Sequence, residues 1–298
     1  IQLNRLDTNS YDIVSLKGER FCFANKKEGF IEKMSSYFPK EKDNLERYYN
    51  LITQISQASS LHTLNYKESD NIINTKYQTQ TINEVIDDII KDKLLKSVLV
   101  GNLPLYAGVK DRTPFSTHAF IMDFYNKSSF RIIGGSDNIA LSLANSIKEL
   151  GGKVLTKKQV KKVICNDNKA IGLETQDKEF YQADIIISDI HPSSLMNMLD
   201  TKMVRPIFRN RINNIPNTVG GFSVYLMFKK DKVPYMNSNF YSFRDNTPWN
   251  CEIYNENTWP KGYLYMHFCH KKDPSFAQSG VILSYMTIDE MEPWLNTF

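Results

Sequence analysis

Apolar positions over residues 130–192 change period several times, and each change marks an element. Ile139, Leu143, Ile147 and Leu150 recur at i, i+4, i+8 and i+11, one stripe of a helix. Gly134 and Gly135 precede it and supply a turn that tolerates unusual dihedrals. Ser136 is placed to cap the first free amides, and Gly151 and Gly152 close the helix. Residues 153–156 and 159–165 read as extended, and Asn166, Asp167 and Asn168 as a turn. Ile171, Leu173 and Thr175 alternate as a half-buried strand does, and Asp177 with Lys178 makes a further turn. Ala183, Ile185, Ile186 and Ile187 then form a near-continuous apolar run, the pattern of a parallel strand covered on both faces. Ser188, Asp189, His191 and Pro192 follow directly. Ligands in open α/β sheets bind just past such carboxyl ends.

Before this stretch the pattern is a hairpin and then helices. Residues 11–24 read as two strands around Lys17 and Gly18. Glu28, Phe30, Ile31, Met34 and Phe38 start one helix, which Pro39 ends. Tyr48, Ile52 and Ile55 mark a second, and Ile82, Val85, Ile86, Ile89 and Ile90 a third, with the pattern continuing over 94–100 to Gly101. Residues 65–77 are polar and read as a connector, the segment around Pro104 and Gly108 as a loop, and residues 118–125 as one more helix. After Pro192 comes a mixed linker. Strands follow over 221–229, 239–244, 263–270 and 280–288, an antiparallel pattern.

Composition narrows the class. The 298 residues are 41% apolar and 23% charged, ordinary for a globular protein of two lobes. A net charge of +4, spread along the chain, lacks the clustered basic face of a nucleic-acid binder. No apolar run is long enough to span a bilayer, and no signal peptide is visible, so the expected location is cytoplasmic. Lys26, Lys27, Lys33, Lys40 and Lys42 allow peripheral contact with an anionic membrane, or form a solvated basic face among interspersed acids. Cys22, Cys165, Cys251 and Cys269 lack C-x-x-C spacing and read as free thiols. His267 and Cys269 share one face of a strand, but no further ligands accompany them and no metal site is expected.

Several stretches together resemble the phytoene desaturase and carotenoid isomerase group of flavoproteins. They are the opening YDIVSLKGERFCF, the helical FIEKMSSYFPKEKDNLERYYNLI with its Phe-Pro break, YAGVKDRTPFSTHAFIMDFY, the Gly-Gly helix and the ADIIISD run. The resemblance implies a mixed α/β fold: part of an amine-oxidase-like FAD/NAD(P)-binding domain with a mixed-sheet and helical substrate lobe. Residues 1–125 would be substrate lobe, 126–192 the returning half of the FAD domain, and 193–298 substrate lobe again. The outgoing half, with a strand and G-x-G-x-x-G gripping a pyrophosphate, is not found in the sequence. Ile1 and Phe298 both read as interior positions of a longer chain, so the piece alone is expected to be inactive and not to retain FAD.

The implied activity is flavin-dependent saturation, desaturation or isomerisation of C=C bonds in a polyene lipid, with FAD as cofactor and NAD(P)H as a candidate electron donor. The resemblance puts the Val160 backbone at the adenine edge, Ser188 and Asp189 near the dinucleotide, and Gly134 and Gly135 between flavin ring and substrate. Arg131, Ile132 and Ile133 stand where the group often has a proline before those glycines. His118 would sit near the same junction and is the candidate proton donor, with Tyr106 second. The plain alternatives are a satisfied structural histidine and a packing tyrosine. His191, following the apolar run, is a candidate cofactor contact or else a loop residue beside Pro192. The late strands are crowded with Phe and Tyr, which serve either an apolar tunnel or sheet packing. A non-catalytic binding lobe is the competing class.

Overall fold

The computed structural model describes residues 1–64, 71–167, 169–200, 202–270, 273–295 and 297. Ten helices and eleven strands are assigned among them. The chain opens with β1 (Leu3–Arg5), β2 (Asp12–Leu16) and β3 (Glu19–Phe23). Helices α1 (Lys27–Tyr37), α2 (Lys42–Ala58), α3 (Ser60–Thr63), α4 (Asn71–Thr79), α5 (Ile82–Ile89), α6 (Lys93–Leu99) and α7 (Phe115–Lys127) follow. Then come β4 (Phe130–Ile132), α8 (Asp137–Glu149), β5 (Val160–Asn166), β6 (Lys169–Thr175) and β7 (Phe180–Gln182). The chain ends with α9 (Pro192–Met198), α10 (Pro206–Asn213), β8 (Gly220–Met227), β9 (Asn239–Phe243), β10 (Gly262–His270) and β11 (Asp273–Met286). It divides into two compact units, Ile1–Asn138 with Val219–Phe298, and Ile139–Thr218. The middle segment read from sequence, residues 126–192, runs across the first of these divisions.

In the first unit a six-stranded sheet has the order β3-β2-β9-β10-β11-β8. The expected hairpin forms at Lys17 and Gly18, whose φ values of 52° and 94° suit a turn that requires left-handed backbone. Its strand β2 joins the late strands by parallel pairing with β9, while the rest of the sheet is antiparallel. The register lines up Phe21, Val14, Tyr241, Leu264 and Leu283 across the sheet. This row faces the helices, and the first four of these side chains are almost fully buried. Phe30 and Met34 of α1, Leu45, Tyr48, Ile52 and Ile55 of α2, Val85 and Ile86 of α5, and Phe115 and Met122 of α7 fill the same core. Helix α6 ends against β2 so closely that a Cβ on Gly101 would lie 2.4 Å from the Val14 methyl.

Helix starts follow local chemistry. Thr81 and Glu84 form a reciprocal capping box for α5, and Asp92 accepts from Leu94 and Leu95 to start α6. Helix α7 covers residues 118–125 as expected and begins earlier, behind Pro114. Of the expected connector 65–77, residues 65–70 lie outside the described residues and 71–77 are helical in α4. The expected linker after Pro192 instead holds α9 and α10, each with proline in its first turn, where a missing N–H costs nothing.

The second unit holds most of α8 and an antiparallel sheet β5-β6-β7. Gly151, at φ 83°, ends α8 as expected, with Gly152 donating to Ile147 and Gly151 to Lys148. The α8 stripe is present, but Leu143 and Leu150 are 61% and 88% exposed. Two expectations are corrected here. Residues 153–156 join no ladder, and the run 183–187 is not a strand: pairing ends with Ala183 donating to Ile171. Ile185 and Ile187 are 80% and 91% exposed. A parallel strand needs neighbours for its amides and carbonyls, and among the described residues none pairs with this run.

Candidate functional site

A cleft of about 460 Å³ opens in the first unit. Its floor is sheet face. The rows Met266–Val281–Tyr225 and Phe268–Ser279–Met227 lie across β10, β11 and β8. Its roof is the two-stranded ribbon of β1 and β4, which brings Asn4, Arg131, Ile132 and Ile133 over those rows. Gly134 and Gly135 form the rim directly after β4, at φ 84° and 105°. Side chains would be strained there, and a Cβ on Gly135 would lie 2.6 Å from the Asp137 carboxylate. The rim is therefore bare backbone beside an apolar and aromatic wall, which suits close approach of a flat ring.

Arg131 is built into this roof. It donates to the carbonyls of His267 and Ser238 and to Asn239 Oδ1, the last two at 2.8 and 2.7 Å. The β9–β10 ladder stops at the pair Asn239–Met266, so the guanidinium closes an otherwise open ladder end. Its plane also sits 5.5 Å from the Phe268 ring centroid. Asn239 in turn donates to Asp12 Oδ1 at 2.8 Å, linking β4, β9 and β2. Burial pushes the Asp12 carboxyl up to about 7, against the pull of the Asn239 bond and the Arg131 charge. Because Arg131 is the cation among the lining residues and its bonds go to protein acceptors, the cleft fits an uncharged flat group. It does not offer a grip for a pyrophosphate. At the polar end the Tyr235 hydroxyl accepts from Asn4 and donates to Asn237.

The residues singled out from sequence divide into three groups. Gly134 and Gly135 line the cleft. His118 and Tyr106 are brought together, but in the helical core and not among the lining residues. His118 is fully buried, with Nδ1 2.9 Å from the Tyr106 hydroxyl and Nε2 2.8 Å from that of Tyr48. Burial pushes its pKa down to about 3, so the ring is neutral at pH 7 with both nitrogens engaged. Gly108 makes room for this arrangement, since a Cβ there would lie 2.7 Å from the Tyr106 ring. Val160, Ser188 and Asp189 belong to the second unit: Val160 pairs with Thr175 at the start of β5, and Ser188 and Asp189 are exposed in irregular chain.

His191 is exposed and accepts from the Ser193 amide, capping α9. His267 Nδ1 accepts from the Met236 amide and Nε2 contacts Tyr265, so both nitrogens are engaged within the protein. The four cysteines are free thiols. Sequence reading missed Asp12, Asn239 and Tyr235. The available signals were a charged residue opening an apolar strand at Asp12, and an arginine inside the apolar run 130–133.

No protein-family model matches the chain. It is 22% identical over 239 residues to all-trans-retinol 13,14-reductase of Danio rerio, covering 73% of this chain and 39% of that protein. It is 24% identical over 290 residues to prolycopene isomerase 1, chloroplastic, of an Oncidium hybrid cultivar, covering 89% of this chain and 47% of that protein. The chain thus spans less than half the length of either relative. A redesigned double mutant of putrescine oxidase superposes with a TM-score of 0.58 at 11% identity, covering 97% of this chain and 61% of that one. The architecture is therefore a mixed α/β, amine-oxidase-like fold. Within it, the chain is related to the reductase and isomerase group that its sequence resembles. Among the described residues no helix is long and apolar enough to cross a membrane.

Proposed function

We propose that the chain is part of a flavin-dependent oxidoreductase, and that its cleft holds a polyene lipid against the bare rim at Gly134 and Gly135. The observation that carries this reading is the pairing of an apolar, aromatic floor with a rim of exposed backbone. When bound, FAD would supply hydride transfer to or from a C=C bond. The chain's own residues do the rest. Tyr225, Phe268 and Val281 hold the apolar body and exclude water, and Arg131 keeps the ribbon fixed over the sheet. The Tyr235 hydroxyl lines the cleft and can move a proton. Val160, Ser188 and Asp189 are assigned to the dinucleotide side.

The names of the two relatives support a polyene and leave two reactions: saturation of a retinoid and isomerisation of a carotene. A binding test separates the site from both. Val281 lies on the cleft floor, so Val281→Trp fills the space the ligand needs. Retinol fluorescence titration of the full-length protein is expected to show affinity weakened by about tenfold or more in this variant. Equal affinity in the two proteins would remove the cleft from the function.

A further inference from the structure

The side-chain amide of Asn4 is oriented by a chain of bonds that begins at the backbone. Asn237 Nδ2 donates to the Arg5 carbonyl at 3.0 Å, and a carbonyl can only accept. That contact fixes the Asn237 side chain and turns its Oδ1 towards Asn4. The group that faces this oxygen at 3.2 Å must then be Asn4 Nδ2, which also donates to the Tyr235 hydroxyl at 3.3 Å. Both amide protons of Asn4 are thereby committed within the protein. Asn4 Oδ1 is left as an acceptor with no donor among the described residues. The Tyr235 hydroxyl passes its own proton to Asn237 at 3.1 Å. The ribbon decides where this oxygen is presented. Asn4 pairs with Arg131 across β1 and β4, so the two side chains share the face that roofs the cleft, and Asn4 and Tyr235 both line it.

We propose that Asn4 reads the polar end of the ligand: its Oδ1 accepts from a terminal hydroxyl, so the cleft selects a polyene alcohol over a polyene that brings no hydrogen-bond donor. This rests on the polyene reading above and deepens it. A hydrocarbon end leaves the Asn4 oxygen without a partner in a space from which the ligand has displaced water, the costly outcome for an acceptor. An aldehyde or an ether sets a further acceptor against it. A carboxylate adds charge, and the Arg131 guanidinium is already engaged by the His267 and Ser238 carbonyls and by Asn239. Asn4 lies half-buried on a ribbon strand of 3 residues, so its side chain can be exchanged without opening the core.

The experiment measures binding of three probes to the full-length protein in detergent, by quenching of protein fluorescence. They are all-trans-retinol, its methyl ether, and its hydrocarbon analogue with methyl in place of hydroxymethyl. The natural protein is expected to bind retinol about tenfold more tightly than either of the others. Asn4→Leu, similar in size and without polar side-chain atoms, is expected to bind all three within about twofold of one another. Asn4→Ala, which demands no extra room, is expected to do the same. If none of the probes binds the natural protein, the polyene reading fails and the Asn4 assignment with it. If all three bind the natural protein equally, or the ether matches retinol, the polyene reading stands and the cleft does not read a donor. If both variants keep the natural preference, another group reads the hydroxyl and the assignment to Asn4 is overturned.

Discussion

His118→Ala is expected to destabilise the folded protein by about 3–5 kcal/mol in urea denaturation, because it leaves a core void and two buried tyrosine hydroxyls without a partner. Tyr48 comes from α2, Tyr106 from the turn after residues 103–105, and His118 from α7, so one ring ties three segments together. A loss below about 1 kcal/mol would mean that the hydroxyls find other partners and that the ring is dispensable. The pH dependence gives a sharper check. The folded pKa of about 3 lies below the ordinary 6.5, so the unfolded chain binds one more proton between those values. Stability from His118 is fully present above about 6.5 and is lost as pH falls, by about 1.4 kcal/mol per pH unit.

Asp12 acts in the opposite sense. Its folded pKa of about 7 lies above the ordinary 3.8, so its contribution is present below that lower value and is lost as pH rises through 7. Between about 4 and 6.5 the two slopes cancel. His118→Gln, which stays neutral and can still bond both tyrosines, should therefore unmask a protein that grows less stable as pH rises across this window. Asp12→Asn should unmask the reverse. Parallel pH curves for the natural protein and both variants would contradict these assignments.

Arg131→Ala is expected to cost a similar about 3–5 kcal/mol, because it removes one partner of a buried charge network. The His267 and Ser238 carbonyls and Asn239 Oδ1 lose their donor, and Asp12 loses the cation that lowers its pKa. The Asp12 pKa, followed by carboxyl NMR, should rise further in the variant. Arg131→Lys keeps the charge without the planar fork that reaches three acceptors, and should lie between the two. A variant as stable as the natural protein would mean that the ladder end is satisfied without the guanidinium.

Local pattern carried much of the fold. Apolar spacing marked Phe30, Ile31 and Met34 as a helix face, and Lys17 with Gly18 as a hairpin, because both are decided within a few residues. The parallel pairing of β2 with β9 joins residues 227 apart, Asp12 and Asn239, and leaves no period in either segment. The run 183–187 carries strand propensity without a partner among the described residues, and propensity alone does not make a ladder. Prolines at 192 and 206 read as linker because the same residue breaks a helix inside it and starts one at its first turn. At the site, Gly134 and Gly135 were legible because their backbone requires glycine. The cleft itself was not, since its walls come from β1, β4, β8, β10 and β11.

The most direct test is the visible absorption spectrum of the purified full-length protein, with a polyene added to the chemically reduced form. The account predicts flavin bands that bleach on reduction and change again when the polyene is added. A colourless protein that stays colourless with added FAD would contradict it.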